Sequence, residues 1–464
     1  MPYLNEYAGN QANQNAMSDS DHVARLKVLK LKPKYHNYDK FDSVCVHNFP
    51  AESQLENVFI IDGSKYEAEV DEFYSSRLAL FNINQAHIKI QALKSYVSKD
   101  FPAPHEFQSI NTNYAVQIIL PTEGFANDEY ENENDFFRFS LFKTLQTVDN
   151  PLLKSLHNVV YRETLLGTLT HLFSISVKGQ VKTQPCVLCS RLNHQMSLKD
   201  FKEDDGQIKW QTVCKCKENP KEVYITDFLS LHEQLKNETS HEALTTQAML
   251  IFEKLMLVNL IRNLHFNHQF ELIEKSAFVL DGSLAVYSYS SWLSDVIHKE
   301  LCVLQEKQKM IILGIEKTGS FVDHINKVEN HYNQNPGANK SIFAFNDKYI
   351  KQYIKTYDND SYYGEKTHFG KKIYYKNKSG AKFIVNIAYA DEADKSLLYN
   401  DRNTAEYINN IHGISDIVWM LDSFSSHSYE NAFSLLSFAH SGAALSTSVM
   451  GKTLLDKFLK AITK

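Results

Sequence analysis

Two apolar runs in this 464-residue chain end in the same tripeptide: NVFIID continues into Gly63-Ser64 after Asp62, and SAFVLD into Gly282-Ser283 after Asp281. An aspartate at the C-terminal end of a buried strand projects where open α/β sheets collect ligands. Two such strands side by side would bring both carboxylates to one hard divalent cation. Mg²⁺ and Mn²⁺ take oxygen ligands, commonly one or two carboxylates together with phosphate and water. Asp-Gly also serves simply as a turn after a strand; the shared apolar lead-in and the shared serine set this pair apart. A third acid, Glu253, lies in AMLIFEKLMLVNLI, where Glu253 and Lys254 are the only charges between Ala243 and Ile261. Its helical neighbours Met249, Leu250, Met256 and Leu257 are apolar. A carboxylate on such a face must be paired, protonated or metal-bound, because burying it alone costs on the order of several kcal/mol. Glu163, in VVYRETLLGTLTHLF, is a rival for the position of the helical acid.

A second group of residues suggests a different metal. Cys186-x₂-Cys189 and Cys214-x-Cys216 are two close pairs, and four thiolates are what tetrahedral Zn²⁺ requires. The second pair is CxC rather than CxxC, and His194 is available to replace one ligand. Four protein ligands leave no open position, so the zinc would be structural and would fold a segment with little core of its own. Cys45 and Cys302 read as ordinary buried thiols.

The elements that must position these groups follow from the periodicity. Asn57–Asp62 reads as a buried strand that stops at a turn, and Arg77–Ile90 as a second strand. Residues 121–150 are polar and acid-rich and read as a surface loop, and Tyr161–Phe173 as a helix. His241–Leu264 is a long helical pattern with Leu244, Leu250, Ile251, Leu255, Val258 and Ile261 mostly on one face. Ser276–Asp281 and Met310–Lys317 read as core strands, Tyr349–Ala390 as a β-hairpin region, and Asn431–Ile462 as a helical tail. The expected class is α/β. An acid on a strand, an acid on a helix and an acid on the next core strand is the arrangement used by RNase H-like nucleases, in which two metal ions activate water and stabilise the departing oxygen of a phosphodiester.

The order IIDGSKYEAE, a helix with an inward Glu, FVLDGSL, ILGIEKTGSFVDH and SLLSFAHSGAALS resembles the NurA family of nucleases, over roughly residue 55 to the C-terminus. The resemblance implies an RNase H-like core of NurA type with Asp62, Glu253 and Asp281 as the metal-binding acids for Mn²⁺ or Mg²⁺. Lys317 matches the lysine after the following strand and His440 the late histidine of the family. It also implies a HerA-like hexameric DNA-translocating ATPase as partner and DNA as substrate, in DNA end processing or anti-phage defence. Where the family commonly has a Tyr-Pro pair before the histidine, this chain has ENAFSLLSFAH, and its nearest tyrosine is Tyr429. The domain plan is an N-terminal arm over 1–45 and a nuclease domain over 46–464. An insertion at about 100–235 would interrupt that domain and carry a zinc-ribbon-like four-cysteine motif over 183–220.

Composition narrows the partners. Lys and Arg number 49 against 55 Asp and Glu, a net charge of −6, which excludes a globally basic nucleic-acid coat but not a local basic groove. The segment 348–382 interleaves lysines (Lys348, Lys355, Lys366, Lys371, Lys372) with tyrosines (Tyr349, Tyr353, Tyr362, Tyr363), a pattern suited to phosphates and unpaired bases. An edge hairpin protected by lysine has the same composition. No Walker-type GxxxxGK[ST] occurs, so ATP hydrolysis would come from a partner. A homodimer is expected, since two-fold dimers are the commonest soluble homo-oligomers. The polar start and the lack of a long uncharged apolar run point to a cytoplasmic protein without a membrane span. Two other functions are consistent with these features: a NurA-like clamp that holds DNA for the translocase without cutting it, and a zinc-ribbon nucleic-acid-binding module.

Overall fold

The computed structural model describes residues 44–45, 52–71, 76–97, 111–130, 132–154, 156, 159–176, 184–185, 195–196, 201, 210–214, 222–236, 241–332, 341–355, 362–396, 405–425, 433–445, 456–458 and 461. The frame is one open sheet. Its long strands are β1 (Asn57–Asp71), β2 (Ser76–Lys89), β3 (Asn111–Glu123), β4 (Ser276–Asp281), β5 (Ile311–Glu316), β6 (Ser341–Ala344), β7 (Gly370–Lys376) and β8 (Lys382–Ala388). A two-residue strand, Val44–Cys45, closes one edge. From that edge the order is β6-β7-β8-β5-β4-β1-β2-β3. Strands β1, β4 and β5 run parallel, while β2 and β3 form an antiparallel meander with β1 and β8 is antiparallel to β5.

Alternation along the strands builds a core on each face. Phe59, Ile61, Phe278 and Leu280 point to one side. There they meet α1 (Glu133–Thr147), α2 (Leu165–Ser176), α3 (His241–Phe266) and α4 (Trp292–Lys307). Val58, Ile60, Ala277, Val279 and Ile315 point to the other. They pack under α6 (Ile414–Ser423) and α7 (Ser434–Ala443), and α5 (Ser320–Tyr332) follows β5. Residues 42–464 form one compact unit.

Helix α3 is apolar nearly all round because it is covered nearly all round. By length and composition it could cross a bilayer, but 78% of that window is buried inside the fold, so it is the core helix. Buried polar residues near its C-terminal end are paired. Arg262 bridges Glu163 and Glu300, and Asn259 donates to the Glu163 carbonyl at 2.8 Å.

Three expectations are corrected. Residues 121–150 are not a surface loop throughout: α1 is capped by Asn132, whose side chain accepts from the Asn134 N–H, and carries Glu133 and Asp135 in its first turn. Phe137, Leu141, Phe142 and Leu145 form its buried face, and buried Arg138 is held by Asp227 at 2.6 Å. The acidic first turn and the exposed positions hid this face in the composition. The run from Asn57 does not stop at Asp62; β1 continues to Asp71, paired with β2 along its length. Finally, the stretch 100–235 is not simply an insertion, because it supplies β3 to the sheet and α1 and α2 to the core. Of the four-cysteine motif, Cys186, Cys189 and Cys216 lie outside the described residues, as do His194 and most of the N-terminal arm. Cys214 is buried.

Candidate metal centre

Strands β1 and β4 are neighbours, with Ile61 opposite Leu280, so the next residues, Asp62 and Asp281, emerge side by side. Both follow the parity of Val58, Ile60 and Ala277, which sends their side chains to the face covered by α7. That helix supplies His440, whose Nδ1 lies 3.0 Å from Asp62 Oδ2. Ligand atoms of Asp62, Asp281 and His440 lie within 4.8 Å of one another. Two carboxylates and an imidazole at this spacing fit a small divalent cation, with oxygen donors in the majority.

Helix α7 is docked by backbone acceptors at its C-terminal end. Ser64 donates to the Ala443 carbonyl, Asn82 Nδ2 to the Gly442 and Ala443 carbonyls, and Asn84 Nδ2 to the Ala439 carbonyl at 2.9 Å. Carbonyls in the last turn of a helix lack an internal partner and need one from outside. A Cβ on Gly442 would fall 2.5 Å from Asn84 Nδ2, so a glycine is what allows the close approach. Ser64, the third residue of the first tripeptide, thus helps place His440 beside Asp62.

The two glycines of the repeated tripeptide do different work. Gly282 adopts φ +113°, and there the chain leaves β4 in a turn. Gly63 stays within β1 and faces α3, where a Cβ would lie 2.7 Å from Glu253 Oε1, 2.9 Å from Ile83 Cδ1 and 3.0 Å from Met249 Cγ. Glu253 therefore sits behind β1, against the face opposite to Asp62 and His440. It is fully buried, and its Oε2 accepts from the equally buried Lys254 Nζ at 3.1 Å. It lies outside the group at common ligand distance. Its rival Glu163 lies just before α2 against a later turn of α3, gripped by Arg262 through Nε at 2.9 Å and Nη2 at 3.1 Å, and it accepts from Thr168.

The charges of the three acids are nevertheless coupled. Burial, followed by the repulsion of Asp281, raises the pKa of Asp62, against the opposing pull of His440 and Lys317. Burial likewise raises that of Glu253; Lys254 opposes the shift and the charges of Asp62 and Asp281 add to it. Negative charge concentrated in this way favours a bound cation. Lys317, just past β5, already supplies one by pairing with Asp281 Oδ2 while remaining 44% exposed.

Two clefts meet at Lys317. The larger, about 830 Å³, includes Asp281, Tyr287, Lys355, Tyr362, Tyr363, Lys366 and His368 in its walls. The smaller, about 350 Å³, runs past Asn326, Tyr374, Lys382, Ser437 and His440. The Lys/Tyr segment 348–382 is divided between cleft and core. Lys371 and Lys372 are buried, paired with Asp394 and Glu316, and Tyr349, Tyr353, Tyr374 and Tyr375 are core residues. Lys355, Tyr362, Tyr363 and Lys366 face the larger cleft. Asp323 lies on the first turn of α5, and His324 is buried beside Tyr349. Sequence reasoning missed Tyr287 and His368, and no local motif marks either one. Neither the family models nor the curated proteins compared with this chain give a match.

Proposed function

We propose that the chain is a metal-dependent DNA nuclease of NurA type with an RNase H-like core, working with a HerA-like hexameric translocase. The observation that carries this reading is the convergence of Asp62 and Asp281, on adjacent parallel strands, with His440 from α7. The strand order β3-β2-β1-β4-β5, with β2 antiparallel to both of its neighbours, is the framework on which RNase H-like sites are built, and it supports the same reading.

Asp62 and Asp281 would hold Mn²⁺ or Mg²⁺, with His440 Nδ1 as a third donor and Glu253 adding charge from behind β1. Such a cation lowers the pKa of water and stabilises charge on a phosphodiester. Lys317 is exposed and can exchange Asp281 for a phosphate oxygen, compensating the negative charge that builds there. Nδ1 of His440, which faces Asp62 Oδ2 at 3.0 Å, would exchange that contact for the cation. A zinc site on Cys186, Cys189, Cys214 and Cys216 and a homodimer complete the proposal.

The test is cleavage of labelled DNA in Mn²⁺, in Mg²⁺ and in EDTA, with Asp62→Asn and Asp281→Asn beside the parent chain. We expect cleavage that EDTA abolishes. Each variant should fall to background, and the double variant should fall no further, because the two acids act as one unit. Cleavage by either variant at the parent rate in Mn²⁺ would remove the assignment. DNA binding without cleavage under any metal would favour the clamp.

A further inference from the structure

The larger cleft beside Asp281 is built for more than passage of a backbone. Its aromatic members are Tyr287, Phe321, Tyr362, Tyr363 and His368. Tyr287 and Tyr362 are 42% and 40% exposed, so each offers a ring surface to a ligand. His368 stands between the tyrosines, its ring 5.7 Å from that of Tyr287 and 5.0 Å from that of Tyr363. It is only 3% exposed, and its Nδ1 lies 2.9 Å from Thr367 Oγ1. Its Nε2 is buried and has no hydrogen-bond partner among the described residues. Leaving such a nitrogen unmatched is costly.

The loop that carries it is rigidly held. The Thr367 carbonyl accepts from the Val286 N–H at 2.9 Å and from Ser294 Oγ at 2.6 Å, and the Phe369 N–H donates to the Leu284 carbonyl at 3.0 Å. Gly364, at φ +76°, packs so closely that a Cβ there would lie 2.6 Å from His368 Nδ1. Lys317, Gly319 and Ser320, where α5 begins, also line the cleft, and Lys355 and Lys366 are exposed there. Exposed aromatic faces suit a nucleobase, and cations with a helix N-terminus suit its phosphate. The cleft volume lies within the roughly 300–1,000 Å³ of small-ligand pockets.

We propose that this cleft is the subsite for one unpaired nucleotide of the strand whose phosphodiester lies over Asp62 and Asp281, with Tyr287 and Tyr362 stacking on the base and buried His368 holding Tyr287 in place. The inference rests on the nuclease reading and narrows its substrate to a strand that is unpaired beside the cut. A base held in a duplex keeps its faces stacked on its neighbours and cannot enter.

Binding is measured by fluorescence anisotropy in EDTA, with the full chain and labelled dT, dA and dC 12-mers, a blunt duplex of the same length, and unlabelled thymidine 5′-monophosphate as competitor. We expect the single strands to bind about tenfold more tightly than the duplex. Tyr287→Ala and Tyr362→Ala should each weaken strand binding about tenfold and leave duplex binding unchanged. Tyr362→Phe should restore binding. Equal binding of strand and duplex, or tyrosine variants that bind the strand like the parent, would overturn the proposal. So would displacement by the mononucleotide as effective as by an unlabelled strand. Parallel cleavage assays in Mn²⁺ separate the two readings: no cleavage with cleft-dependent binding intact removes the nuclease, whereas cleavage with binding indifferent to the cleft removes only the subsite.

Discussion

Glu253 Oε1 approaches Gly63 so closely that a Cβ at that position would lie 2.7 Å away. The contact joins the core helix α3 to the strand that carries Asp62, and it fixes how near the helical acid comes to the two strand acids. Gly63→Ala should therefore push α3 outward or turn Glu253 aside. We expect a loss of about 1–3 kcal/mol from overpacking and a fall in Mn²⁺ affinity, read by denaturant unfolding and titration calorimetry. Gly380→Ala meets no atom but sits at φ +88°, so it should cost stability without touching metal affinity. Unchanged metal binding in Gly63→Ala would show that this contact does not tune the centre.

Glu253 and Glu163 should separate cleanly. Glu253→Gln removes charge next to Asp62 and Asp281, and we expect cleavage and Mn²⁺ affinity to fall with the fold retained. Glu163→Gln breaks the grip on Arg262, and we expect lower stability with metal affinity unaltered. The reverse assignment, with Glu163→Gln abolishing metal binding, would contradict the structure.

Lysines of one composition should behave in two ways. Lys371→Glu and Lys372→Glu each place two buried carboxylates together, and we expect about 3–5 kcal/mol of destabilisation or failure to fold. Lys355→Glu and Lys366→Glu alter exposed positions at the larger cleft. They should weaken DNA binding and flatten its dependence on salt while thermal unfolding stays unchanged. Thermal melts paired with anisotropy titrations at several salt concentrations distinguish the two classes.

Burial lowers the pKa of His324 to about 4 from an ordinary value near 6.5. Between those values the unfolded chain binds the proton and the folded chain does not. The stability from neutral His324 is therefore present above about pH 6.5 and is lost as pH falls toward about 4, on the order of 3 kcal/mol in full. The raised carboxyls of Asp62 and Glu253 act in the opposite sense, since the folded chain takes up their protons first. We expect the urea midpoint to drop from pH 7.5 to pH 5 less steeply in His324→Asn than in the parent. Identical slopes would place the acid sensitivity elsewhere.

The two cysteine pairs predict about one zinc per chain. Elemental analysis of protein purified without chelators should find it, and Cys186→Ser with Cys189→Ser should remove it and lower solubility before any change in cleavage. Protein without zinc would leave the pairs as unrelated thiols.

The amino-acid sequence by itself marked several core strands but not Asn111–Glu123 or Ser341–Ala344; runs such as NVFIID and SAFVLD are apolar because they lie in a sheet buried on both faces. It also showed Asp62 and Asp281 each following an apolar run, and Glu253 interrupting an apolar helix and so needing a partner. What it left open depends on distances between segments far apart in the chain. Only the tertiary structure put Glu253 behind Gly63 and Glu163 in the grip of Arg262, because which turn of α3 meets β1 is set by side-chain packing across that face. Only the packed sheet separated buried Lys371 and Lys372 from exposed Lys355 and Lys366, since a lysine in a strand and a lysine in a loop have the same composition. Tyr287 and His368, some eighty residues apart in sequence, meet because the Leu284–Val286 backbone pairs with the 367–369 loop. Local periodicity records what each segment buries, and it holds no information on what the fold later brings alongside.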